Sequence, residues 1–517
     1  MTDVGRGLLV VLILLSAGLA GCNNAEVPEP EEPAAVEPPR EARILAVWDG
    51  PAAACPLVNW PEVGVIGSLV YGTLFRLDDE MALEPHLAEE VVVEGDLVTL
   101  RLRPDLLWHD GREVTAADVE FTLHTLLDPE FTGADPGLEF DFISGARQYR
   151  TGEADRIEGI RVEDETTLHL SVAAGAGLWN LYFLSPVPRH LFDEVPAGEM
   201  EDALRREPPV GCGPFWVEEA RETDAGVQLE LVQFLDFPLE GGDLERATVL
   251  ICSQMPPEEE LDFDVIVASG LLNPPVPAGF TVRRVAGGGF EYLGLNLRNP
   301  VLGQAGVRQA IALAVDRERV AEDLFGEHAR KVDSPLPWAA EEEVARRERD
   351  PEAAQTILAE AGFARGDDGW LRTPEEELVR LYLGYPAGDT RRKMAAEGIA
   401  ADLAEIGIRA DPVGIDRDLL LYNLYVRNRF DMYLLAMPWR MSSCPTTWGD
   451  GNIWGWAGLE SETEEWVLRV TEDLPIIPLA QPETIVMISA DLNPALSWNV
   501  PILGDLFLWT WGSEAGN

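Results

Sequence analysis

Residues Leu102–Leu123 read LRPDLLWHDGREVTAADVEFTL and place a histidine beside an aspartate, with a second group of acids a few residues later. The six residues that end at Leu102, LVTLRL, alternate apolar and polar side chains, which predicts a half-buried strand. The dipeptide Gly95-Asp96 just before them predicts a tight hairpin turn. The segment therefore starts at the end of a strand, and Pro104 stops the pairing of that strand.

The acids of this segment have a structural explanation. Thr115 and Asp118 have the spacing of a capping box, and apolar residues follow at helical intervals, which predicts a helix that begins after Thr115. Asp118 then lies in the first helical turn, where negative charge complements the helix dipole. His109 and Asp110 lie in the turn before the helix. We therefore assign these residues to turn and cap formation rather than to catalysis or metal binding.

The whole segment resembles the signature of the family 5 extracellular solute-binding proteins, the oligopeptide-, dipeptide- and nickel-binding receptors of ABC importers. Further blocks resemble the same family and follow its order along nearly the whole chain. They are VGCGPFWVEE (Val210–Glu219), YLGLNL (Tyr292–Leu297), VRQAIALAVDRERVAEDLFG (Val307–Gly326), DPEAAQTILAEAGF (Asp350–Phe363), IAADLAEIGIRADPV (Ile399–Val413), FDMYLLAMPW (Phe430–Trp439) and EDLPIIPLAQPE (Glu472–Glu483). The first of these has Cys212 and Phe215 where the family has Thr and Tyr.

This resemblance implies an α/β fold of the periplasmic-binding-protein type, with two lobes joined by two crossover segments and an extra α/β subdomain. A ligand would bind between the lobes, and hinge closure would bury it. The implied ranges are 43–60, 159–250 and 483–511 for lobe one, 61–158 for the extra subdomain and 251–482 for lobe two.

Local signals support an α/β chain without the resemblance. Asp316 predicts the start of a helix that ends at Gly326, and Asp350 followed by proline predicts one that is closed by Gly362. A third apolar stripe at helical spacing ends at Gly407, and the residues after it read as a strand. Helices that alternate with strands in this way predict an α/β lobe.

The first residues resemble a bacterial lipoprotein signal peptide. An apolar run of about fifteen residues follows Arg6, which suits a signal peptide and is too short to span a bilayer. The run leads into LAGC, which resembles a lipobox, so we expect residues 1–22 to be the signal peptide and Cys22 to be lipidated. A plain secretory signal with an incidental Cys22 is the alternative.

Residues 23–42 are rich in proline and glutamate, which predicts an extended, charged tether. A tether after a lipidated cysteine would hold the folded body on the outer side of the cytoplasmic membrane, in the periplasm or at the cell surface. The membrane contact would then be made by lipid chains alone.

Composition limits the classes of partner. The chain has 517 residues, 46% of them hydrophobic, and a formal net charge of −52. The apolar content is enough for a large core divided among about three domains or lobes. The negative charge repels phosphate groups, so a nucleic-acid partner is not expected. Lysine occurs only at positions 331 and 393; a GC-rich genome and adaptation to salt both explain this bias.

Four cysteines follow Cys22, and an exported chain tolerates disulfides. We favour the pairs Cys55–Cys212 and Cys252–Cys444, with free buried thiols as the alternative. The spacing gives no C-x-x-C motif, so a zinc ribbon or redox site is not predicted.

No motif predicts catalysis. The six histidines form no H-E-x-x-H pair, and neither a G-x-S-x-G elbow nor a Walker A motif occurs. The run GGGF at Gly287–Phe290 reads as a turn before a strand. We therefore predict a protein that is not an enzyme and has no metal or cofactor.

The candidate ligand site is the segment PWRMSSCPTTWGDGNIWGW at Pro438–Trp456. Tryptophans interleaved with small polar residues suit a loop that lines a pocket, although core packing explains them too. In the family the corresponding tryptophan, here Trp439, is a wall of the cleft. The residues expected at the ligand are Tyr71, Phe215, Asn296, Trp439, Arg440, Cys444, Trp454 and Trp456.

One departure from the family concerns the ligand. Peptide-binding members carry Asp-Pro shortly after this tryptophan, and here the matching pair is Cys444-Pro445, while Arg440 favours an anionic group. The resemblance thus implies a monomeric substrate-binding lipoprotein that delivers a peptide-like or other small solute to an ABC permease and its ATPase. A secreted surface hydrolase and a family member used as a ligand sensor are the alternatives.

Overall fold

The computed structural model describes the chain from Glu41 onward in seventeen ranges. These are 41–47, 67–77, 83–131, 140–172, 178–182, 184–206, 209–239, 241–257, 261–268, 276–286, 289–326, 329–335, 344–427, 430–438, 454, 465–493 and 510–511. The predicted signal peptide (1–22), with Cys22, lies outside them. The first strand begins inside the range predicted for the tether (23–42), and its Ala42 is fully buried.

The described residues contain strands of two to fourteen residues. They are β1 Glu41–Val47, β2 Phe75–Leu77, β3 Leu83–Pro85, β4 Ala88–Glu94, β5 Leu97–Leu102, β6 Ile160–Val162, β7 Thr167–Ser171, β8 Phe215–Thr223, β9 Gly226–Gln233, β10 Arg246–Cys252, β11 Val265–Ala268, β12 Phe280–Ala286, β13 Gly289–Leu295, β14 Ala329–Lys331, β15 Ala364–Arg365, β16 Leu371–Arg372, β17 Arg380–Pro386, β18 Arg409–Ile415, β19 Met432–Pro438, β20 Ile476–Ser489, β21 Leu492–Asn493 and β22 Thr510–Trp511.

Helices alternate with these strands. They are α1 Gly67–Val70, α2 Ala116–Leu126, α3 Ala146–Arg150, α4 Trp179–Tyr182, α5 Arg189–Phe192, α6 Met200–Arg206, α7 Ala305–Ala314, α8 Arg317–Phe325, α9 Pro351–Glu360, α10 Thr390–Glu405, α11 Arg417–Tyr422 and α12 Glu465–Asp473, with a 3₁₀ turn at Ala197–Glu199 and a π turn at Asn423–Arg427. None of the helices in the described ranges is long and apolar enough to cross a membrane.

The helix boundaries agree with the predicted caps. The Asp118 carboxylate accepts a hydrogen bond from the Thr115 backbone N–H at 2.8 Å, which is one half of the capping box at the start of α2. Asp316 and Asp350 cap α8 and α9 by accepting from backbone N–H groups at 3.0 and 2.9 Å. Gly407 ends the α10 turn with φ 86°. Local cap chemistry therefore sets these boundaries.

The first half of the main sheet is the core of one α/β lobe. Strand β1 pairs in parallel with β10 on one side and β11 on the other, and β9 and β8 extend the sheet in antiparallel pairing. Val47 is in register with both Cys252 and Ala268, so the carboxyl ends of the three parallel strands lie side by side. We call this the carboxyl edge of lobe one.

The second half of the sheet has the same design. Strand β17 pairs in parallel with β18 and β19, and β13 runs antiparallel to β19. Pro386 is in register with Ile415, and Gly289 is in register with Pro438. The carboxyl ends of β17, β18 and β19 therefore lie at the edge where β13 begins, which we call the carboxyl edge of lobe two.

Strand β20 belongs to both lobes. Its first residues, up to Ala480, pair with β13, and its residues from Glu483 onward pair with β12. The hydrophobic cores divide at the same place, because Leu479 and Ala480 pack in lobe two whereas Val486 and Ile488 pack in lobe one. The consecutive strands β12 and β13 also pair with β20 on opposite sides of this division, since Ala286 is opposite Glu483 and Glu291 is opposite Ala480, so the chain passes between the lobes there as well.

The extra subdomain is built on the sheet β4-β5-β7-β6. Val98, Leu100 and Leu102 of β5 are buried in the core that includes α2, as the alternation in LVTLRL predicts. Two pairings favour a revision of the predicted ranges. Strands β6 and β7 extend the subdomain beyond residue 158, and β11 pairs with β1. We propose that lobe two begins at β13 rather than at residue 251.

Candidate functional site

The carboxyl edges of the two lobes define the candidate site. In open α/β sheets, ligands bind outside the carboxyl ends of the parallel strands. Lobe one presents the ends of β1, β10 and β11 there, and lobe two presents the ends of β17, β18 and β19. Strand β12 ends and strand β13 begins where these edges meet. A cleft in this position has both lobes as walls and the crossing strands as its base.

An ion-pair network lies at the carboxyl edge of lobe two. The Arg392 guanidinium donates from Nε to Glu291 at 3.1 Å, from a second nitrogen to the other oxygen of Glu291, and from Nη1 to Asp389 at 2.8 Å. Glu291 belongs to β13, close to the crossing, and Asp389 is the N-cap of α10. The network thus joins the start of β13 to the first turn of α10.

Burial and charge act in opposite directions on Arg392. Burial disfavours its positive charge, but Glu291 and Asp389 outweigh this, so the pKa of Arg392 is raised. Only 4% of the Glu291 side chain is exposed, whereas 23% of Arg392 is. Arg392 therefore remains a cation that is held by two carboxylates and is partly exposed. Sequence reasoning did not select it, because its partner Glu291 is about a hundred positions away.

Tyr71 and Phe215 are both buried in a hydrophobic core and do not lie at the candidate site. Both are at most 1% exposed and pack in the large cluster that the lobe shares with the extra subdomain. Phe215 pairs with Gln233 at the amino end of β8, on the side of the sheet away from the carboxyl edge. The structure gives both residues a packing role, and we leave them out of the proposed site.

The Gly211–Gly213 turn before Phe215 is held by His109. Its Nδ1 accepts from the Gly211 N–H at 3.2 Å, and its Nε2 lies 3.0 Å from the carbonyl of Gly213, to which it donates. Burial lowers the pKa of His109 to about 4, so the ring is neutral and can fill both roles. A Cβ on Gly211 would lie 1.8 Å from the Val70 carbonyl, which explains the glycine. The histidine of the opening segment is therefore structural, as predicted.

Asn296 and Trp454 are also neighbours, at the edge of lobe two away from the crossing. The Asn296 side chain donates to the Phe430 carbonyl at 3.0 Å, and the next residue, Leu297, donates to the Trp454 carbonyl at 2.8 Å. The Trp454 ring is 1% exposed and stands edge-on to Tyr292 at 6.4 Å. Both residues connect segments within lobe two. The burial of Trp454 favours core packing over pocket lining as the explanation for this tryptophan.

The other expected ligand contacts, Trp439, Arg440, Cys444 and Trp456, lie outside the described residues and remain predictions. The positions of Trp439 and Arg440 in the sequence bear on the site. They directly follow Pro438, the last residue of β19, at the carboxyl edge of lobe two.

The preferred disulfide pairing is wrong for the two cysteines that the structure describes. Cys212 and Cys252 are both free and buried. The Cys212 thiol donates to the Tyr71 carbonyl at 3.1 Å, and burial raises its pKa well above the usual value. It therefore behaves as a packed, protonated thiol, which was the alternative. The sequence contained no geometric information with which to choose between the two.

Within the described ranges, no group of three or more histidine, cysteine, aspartate or glutamate side chains could hold a metal ion. That the protein binds no metal stays a prediction from the sequence.

Two α/β lobes, joined by crossing strands with their carboxyl edges at the junction, define the class of two-lobed solute-binding proteins. The sequence agrees, since residues 82–448 match the family described as bacterial extracellular solute-binding proteins, family 5 middle. The chain belongs to this family.

The relatives are distant in sequence and alike in fold. The oligopeptide-binding protein AppA of Bacillus subtilis is 21% identical over 469 residues, which cover 85% of this chain and 81% of that protein. Its structure with a nonapeptide matches at TM-score 0.64 and 18% identity, over 92% of this chain and all of that one. Lactococcal OppA, in a closed conformation with an endogenous peptide, matches with a TM-score of 0.69 and 17% identity. NikZ of Campylobacter jejuni, in complex with Ni(L-His), matches with a TM-score of 0.63 and 19% identity. Each of these two comparisons covers 91% of this chain and 99% of the other.

Proposed function

We propose that this protein is the substrate-binding lipoprotein of an ABC importer. It captures a peptide-like or other small solute between its lobes and delivers it to a membrane permease with its ATPase. Cys22 carries the lipid anchor, and the folded body works as a monomer on the outer side of the cytoplasmic membrane. No covalent step is part of this function.

The observation that carries the proposal is the division of β20 between two separate cores. A solute bound between two lobes stabilises the closed form only through its contacts with both of them. Shifting the lobes from 1:99 to 99:1 closed requires about 5.5 kcal/mol of differential binding energy. Contact surface and hydrogen bonds at the two carboxyl edges supply free energies of this size without a reactive group.

The charges at the carboxyl edge of lobe two suggest the chemistry of the solute. Arg392 is fixed there by Glu291 and Asp389, and Arg440 follows β19 in the chain. The Arg440 guanidinium favours a carboxylate or another anionic group on the ligand, whereas the charge of Arg392 is already balanced by its two carboxylates. Cys444 stands where, by the resemblance, peptide-binding members carry the Asp that holds the α-amino group of the peptide, which disfavours a ligand anchored through a free α-amino group. We therefore propose a solute with an acidic group, such as a blocked peptide or an acylated amino acid.

The test is to identify the solute and then to remove its contacts. Native mass spectrometry of the purified chain identifies the co-purifying molecule, and a thermal-shift titration then measures its binding to stripped protein. Stabilisation that grows with ligand concentration is expected from linkage.

Trp439→Ala and Arg440→Ala should abolish the shift, and Trp216→Ala, on an exposed face of lobe one, is the matched control that should retain it. An unchanged shift in Trp439→Ala or Arg440→Ala would rule out the proposed position of the site. Turnover of the solute would favour the hydrolase alternative instead.

A further inference from the structure

A short strand, β14, also pairs with β20 at the point where β20 passes between the lobes. Strand β14 pairs with β20 so that Ala329 is opposite Pro482 and Lys331 is opposite Ala480. The next residue, Val332, donates its N–H to the Leu479 carbonyl at 3.2 Å. The crossing part of β20 therefore has a partner strand that comes from lobe two, directly after α8.

Pairing changes lobe at a single peptide bond of β20. Pro482 is paired with Ala329 of lobe two, while Glu483 is paired with Ala286 of β12 in lobe one. The Glu483 carboxylate also lies 3.6 Å from the Arg284 guanidinium on β12. Consecutive residues are thus tied to opposite lobes. Because the proline ring fixes φ of Pro482, bending at this link must use its ψ and the φ of Glu483.

A buried ion pair holds β14 in place. The guanidinium of Arg317, the first residue of α8, lies 2.6 Å from the Asp333 carboxylate and donates to the Val332 carbonyl at 3.3 Å. A second nitrogen of Arg317 donates to the carbonyl of Arg347. The Arg317 side chain is 7% exposed and that of Asp333 is 19% exposed. We call this arrangement the Arg317–Asp333 latch; it fixes the residues that immediately follow β14.

We propose that β14 and its latch brace the crossing segment of β20 to lobe two, so that the lobes open and close by bending at Pro482–Glu483. Without the brace, Leu479–Gln481 bend as well, and the lobes reach a wider range of angles. The brace is a conformational device that limits the bending of β20, one of the two connections between the lobes, to a single link. It does not depend on which solute the protein binds.

Hydrogen exchange on the purified full chain, without added ligand, tests the brace directly. Asp333→Asn removes one charge of the latch and keeps its shape, and Arg317→Lys keeps the charge while removing the planar fork. Both should accelerate exchange in peptides covering 329–332 and 479–481 by about tenfold or more, because these amides then open locally. The Ser489 N–H, which donates to the Asp264 carbonyl in lobe one, should exchange within about twofold of its rate in the unmodified protein.

Glu348→Gln is the matched control. It removes an exposed ion pair with Lys331, on β14 itself, and leaves the latch intact. In this variant, hydrogen exchange in the peptides covering 329–332 and 479–481 should be the same as in the unmodified protein. An equal acceleration at 479–481 and at Ser489 in the latch variants would overturn the proposal, and so would no acceleration at 479–481.

A distance measurement separates a brace from a local packing contact. Thr223 of lobe one and Glu397 of lobe two are both exposed and can each be replaced by a spin-labelled unnatural amino acid. Double electron–electron resonance then measures the distance between the two lobes. The Asp333→Asn distribution should be broader than that of the unmodified protein. Identical distributions would contradict a role in limiting the hinge.

Discussion

His109 accepts a hydrogen bond from the backbone N–H of Gly211 at 3.2 Å, and this bond joins the extra subdomain to the turn that precedes β8 of lobe one. The imidazole accepts at Nδ1 and donates at Nε2, and only the neutral ring can do both. The histidine that first suggests a catalytic site is therefore a connector between two parts of the fold. Its contribution depends on pH.

Stability should fall as the pH drops from 6.5 to 4. Burial lowers the pKa of His109 from 6.5 to about 4, so between these values the unfolded chain binds a proton that the folded protein excludes. The free energy of unfolding therefore keeps its full value above pH 6.5. It falls by about 3 kcal/mol as the pH drops to 4, the amount that a pKa shift of this size implies. His86, whose pKa burial also lowers to about 4, adds to the slope.

Urea unfolding at pH 7.5 and pH 4.5 measures this loss. His109→Gln should be less stable than the unmodified protein at pH 7.5 and should lose less stability on acidification. Phe234→Leu, which alters a ring 4.9 Å from His109 without removing a titrating group, is the control and should show the original slope. An unaltered slope in His109→Gln would show that His109 is not the group responsible.

Removing Arg392 should destabilise lobe two. Arg392→Met leaves the Glu291 carboxylate buried without its cation, which costs about 3–5 kcal/mol. The adjacent Lys393→Met removes only an exposed pair with Glu397 at 3.8 Å and should change the free energy of unfolding by less than about 0.5 kcal/mol. Equal effects of the two variants, measured by urea denaturation, would contradict the importance of the network.

Gly294 should not tolerate alanine. A Cβ there would lie 2.3 Å from the ring of Tyr433, which is 1% exposed and cannot move without disturbing the aromatic core of lobe two. Gly294→Ala should cost about 2–3 kcal/mol through overpacking. Gly306→Ala, in α7 with its nearest neighbour at 3.3 Å, should be neutral or stabilising because alanine favours helix. Thermal unfolding of both variants checks the contrast.

The free thiols can be counted chemically. Alkylation in denaturant without a reductant should label both Cys212 and Cys252, as identified by peptide mass spectrometry. Alkylation of the folded protein should leave Cys212 unmodified, because it is buried and its raised pKa suppresses the reactive thiolate. Labelling that appears only after reduction would restore the disulfide interpretation.

Sequence reasoning succeeded where the physical cause is local. The caps at Thr115, Asp316 and Asp350 and the alternation in β5 depend on neighbours within a few residues, so the helix and strand boundaries followed from them. Resemblance supplied the two-lobed arrangement, which local patterns do not contain.

The candidate site was less predictable because its contacts join distant positions. Glu291 and Arg392, or Arg317 and Asp333, become neighbours only when helices fold onto strands. Aromatic composition alone did not distinguish a cleft wall from a core, and Phe215 and Trp454 proved to be buried. A residue that follows the carboxyl end of a predicted parallel strand is the better signal, and Trp439 meets it through β19.

The most direct test of the central claim is X-ray scattering from the protein before and after it is reloaded with its own co-purified solute. The radius of gyration should decrease on reloading, as the lobes close about the crossing strands, and mass spectrometry should recover the solute chemically unchanged. A radius of gyration that does not change on binding, or a solute that is converted to product, would contradict a protein that binds by closure alone.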